Sequence, residues 1–257
     1  MQNPSPFLTV ALAAARAAED VILKYYAGDV ATTLKEDQSP VTIADKEAEQ
    51  VIKDMIHEAF PEHGFLAEES GTTESTSEYM WIIDPIDGTR NFIRHVPLFG
   101  TLIALKKGDE IILGVSNVPI FKELIYAEKG KGAYKDGVRL SVSKKATLKE
   151  AYLSYGGIKQ SKQQNVFPQL MTLVDAVGRE RGLGDSWPYH LLAEGKIDIV
   201  VDPKVHMWDV APAKIIIEEA GGKLTDKEGH GMGTGTFVAV ATNGLLHDAV
   251  LQHFVAK

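Results

Sequence analysis

Residues 81–92 read Trp81-Ile82-Ile83-Asp84-Pro85-Ile86-Asp87-Gly88-Thr89-Arg90-Asn91-Phe92, and the rest of the chain is organised around them. An apolar run typical of a strand stops at Asp84, a second carboxylate follows at Asp87, and Gly88-Thr89 leads into a predicted helix. Carboxylate oxygens suit hard cations such as Mg²⁺, and the N–H groups at a helix start suit a phosphate. The alternative is a polar loop in which Pro85 breaks the strand and Asp87 caps the helix.

The composition is that of an ordinary globular protein. With 257 residues, 44% hydrophobic and 24% charged, the chain is long enough for one large α/β domain or two joined halves. No apolar run approaches ~18 residues, so no membrane span is expected. The absence of Cys excludes disulfides, thiolate metal sites and cysteine nucleophiles, and it is compatible with a cytoplasmic location. A net charge of −8 without a basic cluster argues against nucleic acid, and a phosphate substrate would need bound cations.

Predicted helices and strands alternate along the whole length. The helices are 6–26, 42–60, 162–177, 186–195, 208–220 and 244–255. The strands, besides the one before Asp84, are 64–67, 100–106, 110–117, 123–128, 152–156, 197–201 and 237–242. Residues 32–42 and 71–78 are predicted to be irregular, and Thr42 with Asp45 is predicted to form a capping box. Mixed elements of this kind predict layered α and β structure in one compact unit.

Acidic residues stand at the ends of predicted elements or turns in three places. Glu68 follows a strand, Asp84 and Asp87 flank Pro85, and Asp209 lies at a helix start. Two divalent ions need several carboxylate oxygens, with at least one carboxylate bridging, and these four residues would supply them. Taken singly, Glu68 is also consistent with a solvated acid, and Asp209 with a first-turn acid that the helix dipole favours.

Together the motifs resemble the inositol monophosphatase superfamily of metal-dependent phosphomonoesterases. They are residues 39–45 (SPVTIAD), 68–70 (EES), 81–89 (WIIDPIDGT) and 208–212 (WDVAP), running on to 219–222 (EAGG). The resemblance extends from about residue 7 to the C-terminus. It implies a mixed α-β fold, a layered α-β-α-β-α sandwich. An N-terminal α+β half, 1–140, would carry most metal ligands, and a C-terminal α/β half, 141–257, would carry the substrate pocket and the last ligand.

The resemblance also implies roles for individual residues. Two or three Mg²⁺ ions, for which Mn²⁺ can substitute, would be held by Glu68, Asp84, Asp87, Asp209 and the carbonyl of Ile86, with Asp84 as the bridge. The phosphate would be bound by Asp87, Gly88 and Thr89. The catalytic residues would be Thr89, which orients the attacking water, Asp45, which supports it, and Glu68. In-line attack on phosphorus then needs little beyond positioning and neutralised charge.

Two segments favour the histidinol-phosphate phosphatase branch of this superfamily. Residues 181–186 (RGLGDS) and the pair Asp202-Pro203 occupy the positions that line the leaving-group pocket in relatives. The substrate-binding residues would therefore be Arg181, Gly184, Asp185, Ser186, Asp202 and Asp209. Asp185 and Asp202 would pair with the ammonium and the imidazolium of histidinol phosphate. The alternative is that Asp185 caps helix 186–195 and Asp202 ends its strand, and the nearby Tyr189 is interpreted as a packing residue.

We therefore expect a Mg²⁺-dependent, cytoplasmic phosphomonoesterase that hydrolyses L-histidinol phosphate in histidine biosynthesis. One alternative is an inositol-1-phosphate or broad sugar-phosphate phosphatase of the same superfamily, since Asn91-Phe92 is the inositol-type pair. Another is a binding or regulatory protein that kept the fold and lost catalysis. The expected partner is a small phosphate ester, with no nucleic acid and no membrane, and the resemblance implies a homodimer.

Overall fold

The structure, a computed structural model of the chain, describes residues 4–28, 32–34, 40–73, 76–233 and 235–254. Its α-helices are α1 (Pro6–Tyr26), α2 (Ile43–Ala59), α3 (Thr89–Phe92), α4 (Ile158–Gln163), α5 (Phe167–Ala176), α6 (Trp187–Ala193), α7 (Met207–Glu219) and α8 (His247–Leu251). Its strands are β1 (Thr32–Leu34), β2 (Pro40–Thr42), β3 (Gly64–Ala67), β4 (Gly71–Thr73), β5 (Tyr79–Asp87), β6 (Gly100–Lys107), β7 (Glu110–Val118), β8 (Glu123–Glu128), β9 (Gly132–Lys135), β10 (Val138–Arg139), β11 (Tyr152–Tyr155), β12 (Arg179–Arg181), β13 (Ile199–Val205), β14 (Lys223–Asp226) and β15 (Phe237–Thr242).

The strands form two large sheets and one hairpin. The larger sheet has the order β10-β9-β8-β7-β6-β5-β3-β4, and the smaller one has the order β12-β11-β13-β15-β14. Strand β3 runs parallel to β5, and β11 runs parallel to both β12 and β13, whereas the other pairs are antiparallel. The hairpin consists of β1 and β2.

Alternating side chains assign each face of a sheet to its own helical layer, because successive strand residues point to opposite faces. In β5, Trp81 and Ile83 pack with α1 and α2, whereas Ile82 packs with α7. In β13, Val201 packs with α5 and α8, whereas Val200 packs with α6 and α7. Helices α6 and α7 therefore lie between the sheets. This arrangement confirms the predicted mixed α-β layered sandwich. The division into 1–140 and 141–257 stays a prediction.

Helix α7 lies directly on the larger sheet because β7 carries a glycine where they cross. A Cβ at Gly114 would lie 2.6 Å from Ile215 Cγ2 and 2.7 Å from the carbonyl oxygen of Pro212. A strand glycine often marks such a close approach. The packing of α7 against this sheet brings its first turn, which carries Asp209, beside the end of β5.

Two predicted helices differ from the structure. The predicted helix 162–177 is divided into α4 and α5, because Pro168 has no N–H to donate to Gln164 and its ring would clash with that carbonyl. Pro168 instead occupies the first turn of α5, and Asn165 has a left-handed φ of 56° between the helices. The final helix, predicted over 244–255, is limited to α8, with a φ of 81° at Gly244. Residue 255 lies outside the described residues.

Several short strands are absent from the sequence prediction. Strand β14 reads KLTD, which has a single large apolar residue and so no strand pattern, and it is a strand because it pairs with β15. The segments 32–42 and 71–78, predicted to be irregular, contain β1, β2 and β4. Residues 35–39 and 74–75 of these segments lie outside the described residues. In the part of the chain that the structure describes, no helix combines the length and the apolar character needed to cross a membrane.

Candidate active site

A β-bulge brings the carboxylates of Asp84 and Asp87 to the same side of the sheet. Asp84 pairs with Leu102 and Asp87 pairs with Gly100, so β5 takes three steps where β6 takes two. Residues three apart in a regular strand point to opposite faces, and the extra residue of a bulge reverses this. Strand β5 therefore does not stop at Asp84, as the sequence predicts, but continues through Pro85 to Asp87.

Helix α7 contributes a third carboxylate to this place. Carboxylate oxygens of Asp84, Asp87 and Asp209 lie within 4.8 Å of one another. Asp209 Oδ2 accepts the backbone N–H of His206 at 2.7 Å, and Asp87 Oδ2 accepts the backbone N–H of Ser186 at 2.6 Å. Asp209 is thus a first-turn acid of its helix and also a member of the cluster.

The electrostatics of this cluster fit a bound cation. Asp84 is 1% exposed, and its Oδ1 has no hydrogen-bond partner among the described residues. Burial raises the pKa of Asp84 well above its ordinary value, and the neighbouring carboxylates raise it further. Burial also raises the pKa of Asp87, as do the charges of Asp185 and Asp209, although the bond from Ser186 opposes this. A group of mutually repelling carboxylates, of which Asp84 is buried and has an unpaired oxygen, is the donor set that a hard divalent cation stabilises.

Glu68 lies beside this cluster. The three carboxylates and Glu68 line one cavity of about 230 Å³, together with Ile86, Gly88 and Thr89. Glu68 stands outside the group of oxygens within 4.8 Å, but its charge is the largest electrostatic contribution, after burial, to the raised pKa of Asp84. The cavity therefore joins the four acidic residues that the sequence analysis selected.

Thr89 and Asp45 meet at the edge of the same cavity. Asp45 is fully buried, and its Oδ2 accepts the backbone N–H of Thr42 at 2.7 Å, which completes the predicted capping box of α2. The Thr89 hydroxyl lies 3.3 Å from Asp45 Oδ1 and 3.1 Å from the carbonyl oxygen of Ile86. A hydroxyl that donates to Asp45 keeps its lone pairs for a hydrogen bond from water.

A second pair of carboxylates, Asp185 and Asp202, lines the cavity from the smaller sheet and the loop before α6. Asp202 pairs with Ala239 and Val205 pairs with Phe237, so β13 also contains a bulge and does not end at Asp202. Burial raises the pKa of Asp202 to about 7, and the charges of Asp209 and Asp185 contribute.

Asp185 has a left-handed φ of 53° and is held by Asn91. Asn91 Nδ2 donates to Asp185 Oδ2 at 2.6 Å and to the carbonyl oxygen of Leu98 at 2.8 Å. Burial raises the pKa of Asp185 to about 6, and the hydrogen bond from Asn91 opposes the rise. The N-cap of α6 is Ser186, without a side-chain capping bond, so the structure does not support the alternative that Asp185 caps this helix through its carboxylate.

Comparison with known proteins identifies the family of this chain. The model of the inositol monophosphatase family matches residues 3–257. This chain belongs to the inositol monophosphatase family. It is therefore a phosphatase of that superfamily, as the motifs predict.

The relatives of this phosphatase have names that differ in substrate. Histidinol-phosphatase from Mycobacterium tuberculosis is 39% identical over 97% of this chain and 98% of that protein. Fructose-1,6-bisphosphatase/inositol-1-monophosphatase from Aquifex aeolicus is 34% identical over 100% of this chain and 97% of that protein. The crystal structure of the extragenic suppressor protein suhB from Bartonella henselae matches with a TM-score of 0.89 and 28% identity, covering 98% of this chain and 100% of that one.

Two residues that were predicted to bind substrate do not line the cavity of the phosphatase. Arg181 ends the edge strand β12, is exposed and is not among the residues that line the cavity. Its Nη1 donates to the Glu180 carbonyl oxygen at 2.7 Å. Ser186 is 4% exposed and also does not line the cavity, but its N–H holds Asp87 in place. Gly184 does line the cavity.

The phosphatase cavity also has lining residues that the sequence pattern did not select. They are Gly156, Gly157, Gln160, Tyr189, Lys204, Val205 and Val210. The pair Gly156-Gly157, which comes between a predicted strand and a predicted helix, was a signal in the sequence. In the structure, a Cβ at Gly156 would collide with the Asp202 carboxylate. Tyr189, interpreted from sequence as a packing residue, is 3% exposed and also borders the cavity.

Gly88→Ala should damage both stability and activity of this phosphatase. Gly88 has a φ of 85°, and a Cβ there would lie 2.8 Å from the carbonyl oxygen of Leu98. The left-handed backbone alone costs about 1–2 kcal/mol for alanine, and relief of the clash would move the turn that carries Thr89. Gly108→Ala is the matched control, since Gly108 has a φ of 57° with nothing within 4 Å. Thermal denaturation and kcat should show a larger loss at Gly88, and equal losses would contradict the clash.

Proposed function

We propose that this phosphatase hydrolyses L-histidinol phosphate to L-histidinol and phosphate with the help of bound Mg²⁺. The observation that carries the proposal is the position of Asp185 and Asp202, which line the same cavity as the carboxylates of Asp84, Asp87 and Asp209. A leaving group with an ammonium and an imidazole can pair with two acidic side chains through charge-assisted hydrogen bonds. A neutral polyol would leave those partly buried carboxylates without such partners, which disfavours its binding.

The metal ligands would come from this chain's carboxylates and one carbonyl. Asp84, Asp87, Asp209, Glu68 and the carbonyl of Ile86 would hold two or three Mg²⁺ ions, or Mn²⁺ in their place. When bound, the ions would supply Lewis acidity, which makes water a better nucleophile and offsets the charge of the phosphate. Metal dependence is a property of the family's enzymes.

The remaining steps belong to side chains and backbone groups. The Thr89 hydroxyl, donating to Asp45, would accept a hydrogen bond from the attacking water and direct its lone pair at phosphorus. The backbone N–H groups of Gly88 and Thr89 would bind phosphoryl oxygens. Asp185 and Asp202 would hold the cationic leaving group in line. Phosphoryl transfer needs little covalent participation by the protein, so this positioning suffices without a protein nucleophile.

A substrate panel tests the proposal. Purified protein with Mg²⁺ is assayed for phosphate release from L-histidinol phosphate, inositol-1-phosphate and fructose-1,6-bisphosphate. We expect kcat/KM for histidinol phosphate to exceed the others at least about tenfold, because a hydrogen bond to a charged group contributes about 1.5–3 kcal/mol. A preference for the inositol ester or the sugar ester would contradict this proposal and support the alternative, an inositol-phosphate or sugar-phosphate phosphatase.

Chelation provides the control for metal dependence. Phosphate release should stop with a chelator and return when Mg²⁺ is added in excess. An absence of turnover with every ester in the presence of Mg²⁺ would favour a binding protein that lost catalysis. The homodimer implied by the resemblance stays a prediction.

A further inference from the structure

Glu49 is a buried carboxylate that the proposed mechanism does not use. It lies on α2, is 3% exposed, and faces the turn that follows Glu68. Its Oε2 accepts the backbone N–H of Glu69 at 2.8 Å, and its Oε1 accepts the backbone N–H of Ser70 at 3.0 Å. Both oxygens of one side chain therefore bind the two peptide groups that come directly after Glu68.

The turn around Glu68 is held from two sides. On the side of the sheet, the N–H of Glu68 donates to the carbonyl oxygen of Ile83 in β5 at 3.0 Å. On the side of α2, Glu49 accepts from the next two N–H groups, and Lys53 Nζ donates to Ser70 Oγ at 2.7 Å. The backbone of Glu68 is thus fixed both to the strand that carries Asp84 and to the helix.

These contacts come from one face of α2. Asp45, Glu49 and Lys53 are spaced four residues apart, so they lie above one another along the helix. Asp45 contacts Thr89, while Glu49 and Lys53 contact the turn after Glu68. One rigid helix therefore connects the Thr89 side of the cavity with the Glu68 side.

A carboxylate is the side chain that meets this demand. Each of the two N–H donors has its own carboxylate oxygen, whereas an amide in the same place offers one oxygen and an NH₂ group that only donates. A further buried negative charge beside an acidic cavity is unfavourable unless hydrogen bonds compensate it. A glutamine would fill the space without the second acceptor, and its NH₂ group would face a backbone N–H.

We propose that Glu49 is a positioning residue for Glu68, and that it sets the affinity of the cavity for Mg²⁺. The inference rests on the proposed metal site. Groups that orient a metal ligand change metal affinity by about 10–100-fold when they are removed. Glu49 acts in this way through the backbone on the C-terminal side of Glu68, without contact with the ion.

The test is calorimetric titration of the full-length protein with Mg²⁺ in the absence of substrate. For Glu49→Gln we expect a Kd at least about tenfold weaker than that of the wild type, in line with the usual effect of such groups. Glu58→Gln makes the same chemical change at an exposed position on α2, and it should bind Mg²⁺ like the wild type. Turnover by Glu49→Gln should recover to within about threefold of the wild type at saturating Mg²⁺, because the ligands themselves are retained.

A merely structural role predicts a different pattern. It would lower the melting temperature of Glu49→Gln and leave its Kd for Mg²⁺ unchanged, which overturns the inference. Failure of the wild type to bind Mg²⁺ overturns the proposed metal site and this inference with it. If Glu49→Gln does not fold, Glu49→Asp takes its place: it keeps both oxygens, but it is one methylene too short to reach both N–H groups. Wild-type Mg²⁺ affinity in Glu49→Asp overturns the inference as well.

Discussion

Asp84→Asn is expected to lower kcat/KM of the phosphatase by well over 100-fold, since outer-shell partners of a metal alone change activity up to about that much. Asp84 is almost fully buried between Glu68, Asp87 and Asp209, and its Oδ1 lacks a hydrogen-bond partner among the described residues. Asparagine has nearly the same shape but no charge, so it removes the carboxylate that we propose as a Mg²⁺ ligand without leaving a hole. Steady-state kinetics at saturating Mg²⁺ measures the loss. Turnover within a few-fold of the wild type would contradict the role of Asp84.

The same substitution should stabilise the metal-free protein. A carboxyl group whose pKa is raised on folding destabilises the folded state once the pH exceeds its unfolded value of about 4. Asp84 and Asp87 both have raised pKa values because of burial and neighbouring charges. In a chelator at pH 7, Asp84→Asn should therefore melt at a higher temperature than the wild type.

Addition of Mg²⁺ should reverse that order, because the ion stabilises only a protein that binds it. The wild type should gain thermal stability with Mg²⁺, and Asp84→Asn should gain little. Asp20→Asn removes the same charge from an exposed position on α1, and it should show wild-type activity and a wild-type response to Mg²⁺. A lower melting temperature of Asp84→Asn in the chelator would show that the carboxylate stabilises the metal-free fold, and it would contradict this prediction.

The second large effect concerns substrate choice. Asp185→Asn and Asp202→Asn should each lower kcat/KM for histidinol phosphate about 10–100-fold more than for inositol-1-phosphate, since a charge-assisted contact contributes about 1.5–3 kcal/mol. Both carboxylates line the cavity, and burial raises the pKa of each. The leaving group of inositol-1-phosphate is a polyol without a cation, so kcat/KM for this ester should fall only slightly.

The ratio of the two kcat/KM values measures this effect, because the concentration of active enzyme cancels in the ratio. Asp175→Asn, an exposed change on α5, should leave the ratio unchanged. Equal losses on both substrates would remove the argument for pairing with a cationic leaving group and would leave the substrate class open to polyol esters.

Most elements of the fold could be predicted from local pattern, and most cavity residues from the resemblance of the motifs to the family. Helix α1 and strands β3 and β8 have the predicted bounds, because their apolar spacing extends over the whole element. The helix break before Pro168 and the strand β14 were not predicted. The helix break depends on a single residue, Pro168, which lacks a backbone N–H. Strand β14 is a strand because it pairs with β15.

Both Asp-Pro pairs illustrate the limit of such patterns. Sequence rules predict that Asp84-Pro85 and Asp202-Pro203 end their strands, but both strands continue through a bulge. Proline is tolerated at a bulge because the ladder is already interrupted there. The bulge in β5 also turns Asp84 and Asp87 toward one cavity. The exception to the rule that Asp-Pro ends a strand is therefore what forms the site.

The order of motifs along the chain predicts the family, the layered fold and the acidic residues, because the resemblance to the inositol monophosphatase superfamily depends on residue types at fixed spacings. Their convergence is decided only by the tertiary structure. It places Asp209 within 4.8 Å of residues 84 and 87, and it leaves Arg181 outside the cavity. It also reveals Glu49, whose hydrogen bonds join residues about twenty positions apart. Such contacts arise from the packing of a helix on a turn, and packing across that distance leaves no periodic trace in the sequence.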